Sequence, residues 1–305
     1  MRYHTSRYIG FSLPLFLCSL LPAQPAQCTQ DTVVGTYAVA MQGTMLRPSS
    51  AGSQPVAVPF VSLAITSIDS LGVISGPPMT AALGDTISPI PGGGSIQVNP
   101  DCTAVVKSPL GMTTTDVIMD EGKEIRSLMT QVPGGAVGVA GGHGKRISRI
   151  PSTVAPTQCS PADVHGIYAY TSQGTFITPQ ASQLALMVGL ASIDYQGQFS
   201  GSGKGSVGGA VMDWTGAGQL SVNADCSATL HATIQSGPMT DAEDAWMVVL
   251  EGGNELWLIQ TSSTVFKPVL TATLKRISPI PAVSGNSSGA GPSASIDVER
   301  RVRQR

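Results

Sequence analysis

The chain is poor in charge, in aromatic side chains and in helical pattern. Asp, Glu, Lys and Arg make up 12% of its 305 residues, about half the ~25% of ordinary soluble domains. With a formal net charge of −2, wholesale nucleic-acid binding is excluded as a reading. Aromatics are 5%, too few for the interfacial girdles of an outer-membrane barrel. After Leu21 no apolar run reaches 18 residues, so no membrane-spanning helix is expected in the mature chain. No Cys/His spacing fits zinc, and Asp69 and Asp194 lack the neighbouring acids of a calcium loop. No metal or cofactor is therefore expected. No Gly-x-Ser-x-Gly elbow sits on a strand-to-helix turn, and none of His143, His165 and His231 recurs to serve as a base.

What is abundant is hydrophobicity, at 42%, and turn formers, with 35 Gly and 22 Pro. That hydrophobicity takes the chain out of the disordered class. Its first 26 residues read as a signal peptide: Arg2 and Arg7, the apolar run Ile9 to Leu21, then small residues. Thirteen residues are too few to span a bilayer, and Pro14 interrupts them. Cleavage is expected between Ala23 and Gln27; Gln27 before Cys28 argues against lipidation. Losing Arg2 and Arg7 leaves 15 basic and 19 acidic residues. Asp297 to Arg305, with four Arg and two acids, is a basic end on an acidic body.

One unit is written twice. Gly35-Thr36-Tyr37 recurs as Gly166-Ile167-Tyr168, and Asp69-Ser70-Leu71-Gly72 as Asp194-Tyr195-Gln196-Gly197. Val98-Asn99-Pro100-Asp101-Cys102 recurs as Val222-Asn223-Ala224-Asp225-Cys226. Gly122-Lys123-Glu124-Ile125 becomes Gly253-Asn254-Glu255-Leu256, and Lys145-Arg146-Ile147-Ser148 becomes Lys275-Arg276-Ile277-Ser278. Order is kept while the offset drifts between 124 and 131. The expected units are residues 27–148 and 159–281, with a Pro-containing linker at 149–158 and a Ser/Gly-rich, then basic, tail at 282–305.

Each copy reads as all-β. In the second, eight strands are expected: Gly166–Thr171, Leu184–Ile193, Gln198–Val207, Gly218–Asn223, Ser227–Ile234, Ala245–Leu250, Glu255–Thr261 and Val269–Arg276. Alternate glycines in Gln198–Val207 suggest a bent or closely approached strand rather than a phosphate loop. Two tandem antiparallel barrels close their sheet edges and are favoured over β-sandwiches. The mature chain has four cysteines, which allow three pairings. Duplication selects Cys28–Cys102 and Cys159–Cys226, with export to an oxidising compartment.

Together, Cys-x6-Gly-x-Tyr, the Asp-x-x-Gly turn, Val-Asn-x-Asp-Cys and Gly-x-Glu-Ile/Leu resemble uncharacterised secreted bacterial proteins common in acidobacteria. The resemblance covers both copies and implies a barrel of the lipocalin or allene oxide cyclase type. It implies no established activity. Copy one is expected to depart by insertions at Pro77–Pro91 and Pro133–Gly144.

No catalytic set recurs. The ligand-binding candidates are Glu124 and Arg126 in one copy and Glu255 and Trp257 in the other, each pair on one strand face by period two. Facing inward, they could orient a ligand or move a proton; facing outward, the glutamates are plain solvated residues. Tyr37 and Tyr168 are further candidates, read first as core residues with a bonded hydroxyl. An exported binding or surface module for a small apolar ligand or envelope component is the leading reading. An isomerase or cyclase on a lipid-derived substrate, and a structural or adhesive envelope protein, are the alternatives.

Overall fold

A computed structural model describes residues 27–47, 55–132, 137–149, 159–178 and 181–278. The expected signal peptide, nearly all of the linker and the tail lie outside the described residues, as do residues 133–136. The first copy contains β1 (Gly35–Arg47), β2 (Val56–Ile68), β3 (Val73–Ser75), β4 (Met79–Leu83), β5 (Thr86–Ile90), β6 (Gly94–Val98), β7 (Thr103–Lys107), β8 (Thr113–Met119), β9 (Glu124–Gln131) and β10 (Val137–Ser148). The second contains β11 (Gly166–Ile177), β12 (Ser182–Ile193), β13 (Gln198–Val207), β14 (Ala210–Val222), β15 (Ser227–Ser236), β16 (Met239–Leu250), β17 (Glu255–Ser263) and β18 (Lys267–Ser278).

β11 through β18 form a closed antiparallel barrel in chain order. The first copy closes likewise, because β1 bonds to both β2 and β10. These are two eight-strand barrels rather than sandwiches. The alternation that builds them is plain in the second: Ala228 and Leu230, Met247 and Val249, Leu256 and Leu258, and Ala272 and Leu274 point inward as one core.

The recurrent motifs close one end of each barrel. Tyr37 donates to Gly122 O at 2.7 Å and accepts from Arg146 Nε at 3.0 Å. The Tyr168 hydroxyl lies 2.7 Å from Val164 O and 2.8 Å from Gly253 O, with Arg276 Nη2 at 3.1 Å. Arg146 and Arg276 also donate to Thr32 O and Asp163 O, in the one-turn 3-10 helices that start each copy. Gly122 and Gly253 have φ of 77° and 84°, and a Cβ at either would be driven into those same carbonyls. Asp69 Oδ1 accepts from Leu71 N and Val73 N, and Asp194 Oδ1 from Gln196 N and Gln198 N, all at 2.8–2.9 Å. Both aspartates are turn formers. Cys28–Cys102 and Cys159–Cys226 are bonded, with Cα separations of 4.9 and 5.0 Å.

Two expectations about copy one are corrected. Pro77–Pro91 is not an insertion: Asp69 to Asp101 and Asp194 to Asp225 differ in length by one residue. The same stretch that forms the long β13–β14 hairpin is broken in copy one at Gly76-Pro77-Pro78 and again at Pro91-Gly92-Gly93. Proline cannot donate to a ladder, so β3 and β6 pair low on the wall while β4 and β5 form a separate hairpin on the upper part of β2. Pro133–Gly144 is not an insertion of that length either: Glu124 to Lys145 and Glu255 to Lys275 differ in length by one residue. From Val137 onward it is strand β10, paired with β1 and β9.

A separate core joins the barrels. Val61, Leu63 and Ile65 of β2, with Ala38 and Ala82, pack against Val248, Leu250, Trp257, Ile259 and Val269. Each barrel nevertheless has cores of its own.

Gly253→Ala must strain a left-handed residue and displace the 3-10 helix beneath it, so it is expected to cost at least about 2 kcal/mol of unfolding free energy. Replacing Cys159 and Cys226 together by Ala is expected to cost about 4 kcal/mol in the chain-entropy account. Urea unfolding followed by circular dichroism checks both.

Candidate functional site

The strand faces carrying Glu124/Arg126 and Glu255/Trp257 point out of their barrels. The inward neighbours are Ile125, Ser127 and Met129 in one and Leu256, Leu258 and Gln260 in the other. The expectation that an outward Glu255 is solvated is also corrected, because barrel one covers it. Glu255 is buried and pairs with Lys145, which also reaches Glu251 at 2.8 Å. Trp257 Nε1 donates to Glu255 Oε1 at 2.9 Å, and its ring meets His143 edge-on at 4.3 Å. Burial raises the Glu255 pKa, but the bonds from Lys145 and Trp257 outweigh it and hold the carboxylate below its ordinary range. Burial, then the Arg126 charge, lowers that of His143.

Arg126 and Trp257 both line a groove of about 660 Å3 between the barrels, with Gln42, Gln173, Leu186 and Val188. Gln173 Nε2 donates to Gln42 Oε1 at 3.0 Å. Glu124 stays with Arg126, 3.5 Å away. The charges here are largely satisfied by one another, so the groove acts as a joint between barrels. Tyr37 and Tyr168 are buried in the closed ends described above.

The barrel interiors hold polar groups that sequence reasoning missed. In barrel one a cavity of about 140 Å3 is lined by Met41, Ile74, Met112 and Asp116. Asp116 Oδ1 and Thr66 Oγ1 are buried there without hydrogen-bond partners. Burial pushes the Asp116 carboxyl up against the bonds from Thr114 and Ser127.

Barrel two is more developed. Three inward positions of β13, between Phe199 and Val207, are Gly201, Gly203 and Gly205, and Gly189 stands beside them on β12. Their missing side chains make room for Trp214. Its ring would lie 2.8 Å from a Cβ at Gly189 and 3.2 Å from one at Gly201. This is the close approach that alternate glycines imply. Trp214 packs edge-on to Tyr170 at 5.4 Å, and its Nε1 is buried without a partner. A void of about 50 Å3 lies against Tyr170, Trp214, Glu243 and Gln260. It adjoins a cavity of about 380 Å3 at the unplugged end, lined by Phe176, Met187, Trp214, Ile234, Glu243 and Phe266.

Two acids face this space from β16. Asp241 is fully engaged, accepting from Ser263 Oγ at 2.6 Å, Thr264 N at 2.8 Å and Thr264 Oγ1 at 2.9 Å. Glu243 shares side-chain bonds with Gln260 and with Asp241 itself. Burial first, and the Asp241 charge second, push its pKa up to about 8. It is therefore a neutral carboxylic acid at neutral pH, able to donate as well as accept. Burial likewise raises Tyr170 far above its ordinary value, so it stays a phenol. Together these groups offer an apolar chamber with hydrogen-bond donors at its inner end, as small-molecule sites do. Among the described residues no three His, Cys, Asp or Glu side chains cluster to hold a metal, and no helix is long and apolar enough to cross a membrane.

No protein-family model matches this chain, and no curated protein matches it at a significant level. The chain is similar to solved structures that include a DUF3598-family protein of unknown function from Nostoc punctiforme, at 9% identity over 82% of this chain and 100% of that one, with a TM-score of 0.27. The vaccine antigen transferrin binding protein B from Haemophilus parasuis is 8% identical over 79% of this chain and 76% of that one, at 0.31. A porin-like protein from Bacteroides uniformis is 11% identical over 78% of this chain and 95% of that one, at 0.20. With scores this low, the two-barrel architecture rests on the strand pairing of this chain itself.

A half-buried acid with a raised pKa weakens the fold as pH rises. The unfolded Glu243 loses its proton near its ordinary 4.5, the folded one near 8. The folded state thus binds the extra proton between those values, and stability falls across that window and levels above it. Glu243→Gln is expected to flatten this slope and be more stable than the wild type at pH 8. Urea midpoints between pH 4 and 9 measure it.

Proposed function

We propose that the protein is an exported, non-enzymatic binding module whose second barrel holds a small, mainly apolar molecule bearing one hydrogen-bond-accepting oxygen, such as a carbonyl. The observation that carries this reading is the buried, unpartnered Nε1 of Trp214 in the apolar chamber that the neutral Glu243 carboxyl also lines. A buried donor without a partner costs about 1–3 kcal/mol, and a ligand oxygen would satisfy it. Export is supported by the basic-then-apolar N-terminus and by two disulfides, which persist in oxidising compartments.

One observation favours a second reading, an isomerase or cyclase acting on a lipid-derived substrate, by fold analogy to allene oxide cyclase. A carboxyl that titrates near neutral pH suits general acid–base work, and Glu243 has that property inside a chamber of ligand size. On this reading Glu243→Gln abolishes turnover and leaves binding.

Native mass spectrometry of the protein isolated from its own source is expected to show a bound small molecule that organic solvent extracts. Ile234→Trp, which fills the chamber, is expected to lose the adduct. Trp214→Phe is expected to weaken rebinding of the extracted compound by about tenfold, the worth of one buried hydrogen bond. A clean apo mass from wild-type protein would sink the proposal.

A further inference from the structure

We propose that the protein associates head to tail with a second copy of itself, through the same pair of faces that joins its own two barrels. The inference follows from duplication and does not depend on the ligand reading. Within the chain, the outward ridge of β2 (Val61, Leu63, Ile65) sits on the outward face of β16–β18 (Val248, Leu250, Ile259, Val269). These residues are 1–7% and 0–1% exposed.

Strand register identifies their counterparts. Ile68 pairs with Gly35 as Ile193 pairs with Gly166, so Val61, Leu63 and Ile65 correspond to Leu186, Val188 and Leu190 on β12. Ile118 N bonds Cys102 O as Val249 N bonds Cys226 O, and Thr44 pairs with Val139 as Thr175 pairs with Val269. The counterparts of Val248, Leu250, Ile259 and Val269 are therefore Val117, Met119, Leu128 and Val139. Both sets are apolar and both are uncovered. Leu184, Leu186, Val188 and Leu190 are 38–65% exposed, and Val117, Met119, Leu128 and Val139 are 37–73% exposed.

The polar rim repeats as well. Lys145 of barrel one seals the joint on Glu255, and Ile147 packs against it. Their counterparts Lys275 and Ile277 are exposed, and Glu124 stands at the position of Glu255 on the free face of barrel one. Each chain thus carries an unused ridge on barrel two and an unused receiving face on barrel one, the condition for a heterologous interface. On barrel two, β12 is separated from β17 by β11 and β18, and Leu186 and Val188 line the groove between the barrels together with Arg126. Thr115 and Arg126 replace Trp246 and Trp257 on the free receiving face. The contact between chains is therefore weaker than the one within the chain, which also gains from its tether.

Sedimentation velocity of the purified full chain tests this. The wild type is expected to shift to larger species as its concentration rises to about 100 µM. Val188→Asp and Val117→Asp each place a charge at an exposed position, so both should keep the wild-type circular dichroism and thermal midpoint. Each alone is expected to weaken association by at least about tenfold. Mixed together, they retain one intact ridge and one intact receiving face, and a dimer but nothing larger should return. A wild type that stays monomeric at that concentration, its ridge covered by another part of the chain or by lipid, overturns the proposal. So does an oligomer that neither substitution weakens, or a mixture that fails to pair.

Discussion

Closure of each sheet on its first strand is the constraint from which the rest follows. β1 is hydrogen-bonded along both edges, to β2 and β10, and β11 likewise to β12 and β18. A closed eight-strand barrel has a fixed interior that inward side chains must fill or leave empty. In barrel two the glycines of β13 leave it partly empty, and Trp214 takes only some of that space. The remaining chamber, its neutral acid and its unpartnered indole N–H all descend from this one subtraction. The same closure turns the alternate residues outward, which is why Glu255 and Trp257 serve the joint between barrels and not a ligand.

Duplication separates what builds the barrel from what has diverged. Every strongly recurrent motif does structural work: the aspartate turns, the disulfides, and the Tyr–Arg–Gly plug with its left-handed glycines. The interior acids do not recur. Asp116 corresponds by register to Met247, and Glu243 corresponds to Met112. Copy one, moreover, spans 18 residues from Cys102 to Asp120 where copy two spans 25 from Cys226 to Glu251. The β7–β8 hairpin is accordingly shorter than β15–β16, and the prolines break the neighbouring hairpin. One barrel has a continuous wall, while in the other the β4–β5 hairpin leans on the neighbour, tied by Asp85 and Lys267 at 2.9 Å.

Eight strands of the second copy were legible because their apolar residues alternate. The stretches missed were the second half of β11 and the first halves of β14 and β16, Ser172–Ile177, Ala210–Ala217 and Met239–Asp244. The latter two were illegible for the reason that makes them interesting. Their inward positions hold Gly216, Asp241 and Glu243, which break the alternation that marks a buried face. Acids two apart in an otherwise strand-like run were the available signal for the chamber. The glutamates chosen instead recur, and recurrence in this chain marks structure.

The amino-acid order by itself determined the all-β class, the two copies and the cysteine partners, since period-two alternation, repetition and spacing are properties of the chain. Only the tertiary structure decided which face of each strand became interior, where β13 left a void and which outer ridge met which outer face. Those depend on how the sheets close and on how two closed surfaces pack, and a strand's own residues are the same whichever side ends up inside.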